Sequence, residues 1–245
     1  MACNRALRRL PLQGTNNTRD LGGYPCVGGS TRWGAFFRSD SPFGLTQADI
    51  ALLKTTGVTD AVDLRSDHEC ENFPSPLDEA NGFVRHHIPL VDQVHSHDFE
   101  GDLPGSMSGL YISLLDDSQS DVARVFRAFI SARGGVLFHC AVGKDRTGVV
   151  SMLLLLLAGA SEADVVADYS ISETYMREVF EGEKLNARGR PVPLYVLRSM
   201  PDSMWRVLDH LQKKYGTAED YLRAVGLNND EIDAVRDKIL ERWGA

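Results

Sequence analysis

Cys140 and Arg146 stand six positions apart in the stretch GGVLFHCAVGKDRTGVVSMLLLLLAGA, and the residues between them suit the capture of a tetrahedral anion. The stretch reads as a short buried strand over 136–139, a tight loop over 140–146 and a long apolar helix from about 147. A cysteine at the carboxyl end of a strand, on a loop that opens a helix, sits where ligands bind in open α/β sheets. The helix start offers unpaired amides and a partial positive charge. The amides of Ala141, Val142, Gly143, Lys144, Asp145 and Arg146 can therefore wrap the anion, and the same field favours thiolate over thiol at Cys140. Arg146 supplies a planar fork that matches two phosphoryl oxygens. Lys144 adds a point charge, and Thr147 can donate a hydroxyl hydrogen bond to the sulfur when it acts as a leaving group. Charge on the equatorial oxygens of a loose, metaphosphate-like transition state would be stabilised by the amides and Arg146, so this chemistry calls for no metal and no cofactor.

The elements that must position this loop alternate along the chain. An irregular, Gly-rich start, NNTRDLGGYPCVGGSTRWG, is followed by a capping-box pattern, Thr46 with Asp49, leading into QADIALLKTTG. The runs VTDAVDL and FVRHHIPL (83–90) read as strands, and 92–119, rich in Gly, Ser, Asp and His, reads as mostly loop. Apolar residues at 122, 125, 126, 129 and 130 predict a helix that Gly134 and Gly135 end. Ser161 with Asp164 caps another, and the last 45 residues read as short amphipathic helices around Trp205, Leu208 and Leu211, then Ile232, Val235 and Ile239. The alternation predicts an α/β fold with a mostly parallel central sheet flanked by helices and a C-terminal helical cap. The expected organisation is a single domain over 1–245.

Of 245 residues, 26 are Lys or Arg and 34 Asp or Glu, a net charge of −8. That balance argues against a nucleic-acid partner or a polybasic membrane surface. The longest apolar run, Val149 to Ala160, is short of the roughly 20 residues of a bilayer span, so no stable membrane insertion is expected. Cys3, Cys26, Cys70 and Cys140 are too few and scattered for a disulfide scaffold. Reduced thiols and the lack of an apolar leader in MACNRALRRLPLQ point to a cytoplasmic protein.

The phrase HCAVGKDRTG resembles the signature loop of cysteine-dependent protein tyrosine phosphatases, in the GKDRTG version of bacterial members, and is also similar to loops of phosphoinositide phosphatases. NTRDLGGY and AVDLRSDHE (61–69) resemble the same bacterial subfamily, and a weaker likeness continues through VVADYSISE and YGTAEDYLRAVGL. The resemblance implies a phosphocysteine intermediate at Cys140, a phosphoryl group held by Arg146, and a phosphotyrosyl protein as substrate. A phosphoinositide substrate and a catalytically idle phosphotyrosine-binding module are the alternatives. It also implies a carboxylic acid that protonates the leaving phenolate. Asp145, inside the loop, is the first choice, and Asp92, after the strand ending IPL, is the other. Arg19 and Asp20 of NTRD and Arg65 of DLRS are expected beside the loop as substrate-binding or supporting groups. In some relatives a helical lid covers the site, a role open to segment 172–200, and export without a cleaved signal stays open.

Other features have plainer readings. His139 is expected to orient the cysteine through hydrogen bonds rather than to act as a base. Cys26 or Cys70 is read as a buried small side chain, with a protective disulfide to Cys140 as the sharper alternative. His95, His97 and Asp98 read as a solvated loop rather than a metal site, and Arg188 and Arg190 likewise. Gly143-Lys144 fails the nucleotide-binding pattern, because Phe138 stands where Gly is needed and Asp145 where a hydroxyl is needed. Leu153 to Leu157 is expected in a helix buried on all sides.

Overall fold

The apolar run before Cys140 becomes the middle strand of a twisted sheet, and that strand is buried at every residue. The computed structural model describes residues 7–90, 106–182 and 193–244. Its strands in chain order are β1 (Arg19–Asp20), β2 (Pro25–Cys26), β3 (Gly29–Thr31), β4 (Phe36–Ser39), β5 (Val58–Asp63), β6 (Val84–His87), β7 (Gly135–His139) and β8 (Leu240–Arg242). The helices are α1 (Gln47–Thr55), α2 (Asp67–Asn72), α3 (Met107–Asp117), α4 (Gln119–Ser131), α5 (Arg146–Ala158) and α6 (Glu162–Tyr175). They continue as α7 (Arg177–Gly182), α8 (Leu194–Leu197), α9 (Pro201–Lys214), α10 (Ala218–Ala224) and α11 (Asn229–Ile239).

The main sheet has the order β1-β4-β7-β5-β6, with β4, β7, β5 and β6 parallel and β1 antiparallel on the edge. Alternation along the strands divides the core in two. Phe36, Val62, Val136 and Phe138 face the helices α3 to α6 and α9 to α11, whereas Phe37, Ala61 and Leu137 face Ile50 and Leu53 of α1. Each such Leu, Ile or Phe stabilises the fold by about 1.5–3 kcal/mol relative to an exposed position. Helix α5 lies between the sheet and α3, α6, α10 and α11, which explains an apolar sequence all round, with only Leu156 half-buried. Among the described residues no helix is long and apolar enough to cross a membrane.

The register places Ser39, His139 and Asp63 side by side at the carboxyl ends of β4, β7 and β5. The chain leaves β7 there, into the loop. Capping boxes start α1 (Thr46 with Asp49) and α2 (Ser66 with Glu69), and Ser161 accepts from the Asp164 N–H at the start of α6.

Two expectations are corrected. Within 92–119, Met107–Asp117 is helix, started by Ser106, whose side chain accepts from Gly109 N–H; 91–105 lies outside the described residues. Its stripe of Met107, Leu110, Tyr111, Leu114 and Leu115 is fully buried, but interleaved Ser, Gly and Asp obscure the period. The irregular start also contains three short strands, β1 to β3, and an inner strand of the main sheet, β4, follows it before α1. The C-terminal helices extend the helical layer, and β8 then returns to pair with β3, a strand that the sequence did not suggest.

Candidate active site

Cys140 directly follows β7 and α5 begins at Arg146, so the loop spans only the residues between them. Its carbonyls are gripped from outside. Ala141 O accepts from Ser41 N–H at 2.9 Å, Val142 O from Asn17 Nδ2 at 3.0 Å, and Gly143 O from Arg38 Nη2 at 2.7 Å and Asn17 Nδ2 at 3.2 Å. In a planar trans peptide the C=O and the following N–H point opposite ways, so these outward carbonyls turn the N–H groups of Val142, Gly143 and Lys144 inward. Gly143 N–H does donate to Cys140 Sγ, at 3.2 Å. Successive amides converging at a helix start form a cradle for an anion, and here one of them already meets the sulfur. Gly143 has φ +71°, and a Cβ there would lie 2.4 Å from Ser39 O, so the turn requires glycine.

Arg146 is aligned by Glu69, with Nη1 and Nη2 donating to its two carboxylate oxygens at 2.7 and 2.8 Å. Nη1 also donates to Leu64 O at 3.3 Å. Glu69 is fixed in turn, because its Oε2 accepts the Ser66 N–H at 2.8 Å in the capping box of α2. A parallel two-bond pair of this kind holds the guanidinium plane as well as its position.

Asp145 is buried, and its side chain makes no capping bond to α5. Its Oδ1 instead accepts from the Tyr111 hydroxyl at 2.5 Å and lies 3.4 Å from Lys144 Nζ. Asp92 lies outside the described residues, as do His95, His97, Asp98, Arg188, Arg190 and Cys3.

The donors of Arg19, Arg65 and Lys144 point to protein groups in this structure, so the two arginines stand beside the loop as supporting groups. Arg19 is buried, with Nε on Asp168 Oδ1 at 2.8 Å, Nη2 on Asp168 O at 2.7 Å and Ser172 Oγ at 3.0 Å, and Nη1 on Asn17 Oδ1 at 2.6 Å. It therefore acts on the loop through Asn17. Arg65 is likewise buried, paired with Asp63 at 2.8 Å through Nε and Nη2, while Nη1 donates to Ser41 Oγ at 3.0 Å and Phe73 O at 2.7 Å. Lys144 Nζ donates to the carbonyls of Val196, in α8, and of Arg198 at 3.2 Å, and sits 5.6 Å above the Phe180 ring of α7. The ammonium thus ties the loop to residues of 172–200. Thr147 Oγ1 is buried and makes no hydrogen bond among the described residues. Asp20 binds the N–H groups of Gly22 and Gly34 at 2.8 Å, and Gly23, at φ +77°, makes the tight turn expected of RDLGG.

His139 is fully buried, with Nδ1 3.3 Å from Cys140 O and Nε2 3.7 Å from Asp63 Oδ2. Burial pushes its imidazole down to about 4 against the pull of Asp63, so it is neutral at neutral pH. Burial alone would raise Asp63, but the neighbouring His139, Arg65 and Arg85 hold its carboxyl far below the usual range, with the bidentate Arg65 the contact that matters. Cys26, Cys70 and Cys140 are all free thiols. Cys70 touches Arg85, His87 and Asp63, and burial followed by Asp63 pushes its thiol up to about 11. Cys26 faces Tyr24 O at 3.5 Å and is raised by burial.

Several supporting residues went unread in the sequence: Glu69, Asn17, Ser41, Arg38, Asp168 and Tyr111. Glu69 had a signal, since Ser66 and Glu69 have capping-box spacing. Asn17, Ser41, Arg38 and Tyr111 hold the loop from 34 to 126 positions away, and Asp168 acts on it through Arg19 and Arg38, relations about which spacing carries no information.

A cysteine under inward amides, followed by a carboxylate-aligned arginine at a helix start, suits an enzyme that works on phosphate esters. The comparisons agree. The tyrosine phosphatase family matches residues 10–241. A tyrosine-protein phosphatase of Nostoc commune is 31% identical over 217 residues, covering 84% of this chain and 74% of the relative. The triple specificity protein phosphatase PtpB of Mycobacterium tuberculosis is 26% identical over 282 aligned positions, covering 96% and 99%. The chain belongs to the tyrosine phosphatase family and is a protein tyrosine phosphatase.

Proposed function

We propose that the enzyme hydrolyses phosphotyrosyl proteins through a phosphocysteine at Cys140, with residues 1–245 acting as one phosphatase domain. The Cys140 thiolate attacks phosphorus as the bond to the phenolic oxygen breaks, and Asp145 gives that oxygen its proton. Water then attacks the phosphocysteine, Asp145 takes a proton from it, and the thiolate leaves. The inward N–H groups of the loop and the Arg146 guanidinium stabilise the phosphoryl oxygens throughout. The observation that carries this reading is the 3.2 Å bond from Gly143 N–H to Cys140 Sγ, beside an arginine gripped at both Nη atoms.

The substrate reading rests on Lys144. Its ammonium is bound to the carbonyls of Val196 and Arg198, so the extra loop charge that would favour a phosphoinositide is directed away from the anion. The relative named as triple specificity makes a lipid comparator worthwhile. Cys140→Ser is expected to bind an aryl phosphate and release no phosphate from it, while chelators leave the wild-type rate unchanged. A chelator-sensitive rate overturns the mechanism. Values of kcat/KM higher for soluble inositol lipids than for phosphotyrosyl peptides overturn the substrate.

A further inference from the structure

Among the described residues Asp145 is held by one oxygen only. The Tyr111 hydroxyl donates to Oδ1 at 2.5 Å, and the Lys144 ammonium lies 3.4 Å from the same atom. Among the described residues no hydrogen bond engages Oδ2. Behind Tyr111 stands Tyr169 of α6, its hydroxyl 2.8 Å away and its ring edge-on at 5.8 Å. Both phenols are buried, and α3 and α6, which carry them, pack on α5. Burial, with Asp145 second, keeps the Tyr111 phenol well above its ordinary range, so it stays a donor.

We propose that Tyr111 is the positioning residue for the acid, with its hydroxyl, backed by Tyr169, fixing Oδ1 of Asp145 so that Oδ2 carries the transferable proton. The inference rests on Asp145 being the acid. A proton on Oδ1 would face a hydroxyl donor and an ammonium, whereas Oδ2 opposes neither. During the first step the Oδ2–H bond breaks as the proton passes to the departing phenolic oxygen, which keeps the electron pair of its bond to phosphorus. Asp145 is left as a carboxylate, the form to which the Tyr111 hydroxyl bonds most strongly. During the second step Oδ2 takes a proton from the attacking water and the starting arrangement returns. A tyrosine on α3 serves this purpose because its hydroxyl reaches the carboxyl just before α5 from across the core.

The test compares Tyr111→Phe, Tyr169→Phe and Asp145→Asn in the full chain, on phosphotyrosine and on a dinitrophenyl phosphate whose leaving group needs no proton. Tyr111→Phe is expected to lower kcat about tenfold on phosphotyrosine and less than about twofold on the activated ester, with KM unchanged on both. Tyr169→Phe is expected to give a smaller loss with the same selectivity, and it carries the test if Tyr111→Phe does not fold. Asp145→Asn is expected to lose about 10²-fold on phosphotyrosine alone. Equal losses on both esters, or no loss, in the tyrosine variants overturn the positioning role while Asp145→Asn keeps its selectivity. If Asp145→Asn itself shows no leaving-group selectivity, the acid reading fails, and the role of Tyr111 with it.

Discussion

Two arginine–carboxylate groups brace the phosphate loop from opposite sides. On one side Glu69, its side chain 14% exposed, grips Arg146 with two parallel bonds. On the other, Asp168 lies between Arg19 and Arg38, and all three are buried. The chemistry of the pairs is the same and their tasks differ. Arg146 belongs to the loop itself, so its alignment is the one the proposed mechanism uses at the transition state. Arg19 and Arg38 belong to β1 and β4 and reach the loop only from behind, through Asn17 and the Gly143 carbonyl. A positive charge beside a phosphate loop therefore says little until its donors are followed to their partners.

The sharpest way to break this comparison is Arg146→Lys. A lysine keeps the charge and loses the fork, so kcat/KM is expected to fall about 10³-fold, while unfolding free energy changes by less than about 2 kcal/mol. An equal loss of stability and rate would make Arg146 a frame residue like Arg38.

Asp168→Asn addresses the other side. Burial alone would raise this carboxyl, yet Arg19 and Arg38 hold it down at about 2, and burial with Arg19 lowers Arg38 against the pull of Asp168. Removing the charge leaves two guanidinium groups buried without compensation, at an expected cost of about 3–5 kcal/mol in urea unfolding. Activity per folded molecule is expected to fall less than tenfold. A larger loss would mean that Arg38 sets the loop geometry more directly than its single bond to Gly143 O suggests.

A third difference appears with pH. In the unfolded chain an imidazole gains its proton near 6.5, whereas folded His139 stays neutral down to about 4. The unfolded state then binds more protons between those values, so stability is complete above about pH 6.5 and declines by about 3 kcal/mol on acidification to pH 4. Asp168 acts in a lower window, where its contribution is lost as pH falls from about 4 toward 2. His139→Gln is expected to flatten the upper slope and leave the lower one. An unchanged upper slope would assign it to other groups.

The contrast also explains what was legible. Cys140, Gly143, Arg146 and the helix behind them are contiguous, and their spacing alone implies an anion cradle. The strand β5 and the Thr46 box could be read for the same local reason. By contrast β4 has four residues, two of them Arg38 and Ser39, and it is buried only because Asp168, 130 positions later, accepts the arginine. Tyr111 is hidden in the same way, inside a helix whose polar interruptions conceal its apolar stripe. Lys144 shows the converse. It was visible at once as a loop cation, but its direction depends on carbonyls 52 and 54 positions away.

Lys144 therefore offers the finest distinction between the two sides, and the smallest expected effect. If its ammonium serves the carbonyls of Val196 and Arg198, Lys144→Met leaves those groups without their donor and is expected to destabilise by about 1–2 kcal/mol. Amide hydrogen exchange in α8 should quicken relative to that in α5, which the sheet and four helices enclose. Rates on phosphotyrosyl peptides and on soluble inositol lipids should then fall together, by a few-fold, because the perturbation is common to both. A loss of tenfold or more confined to the inositol lipids would instead place the ammonium at the substrate during turnover, and would move Lys144 from the frame of the site to its contents.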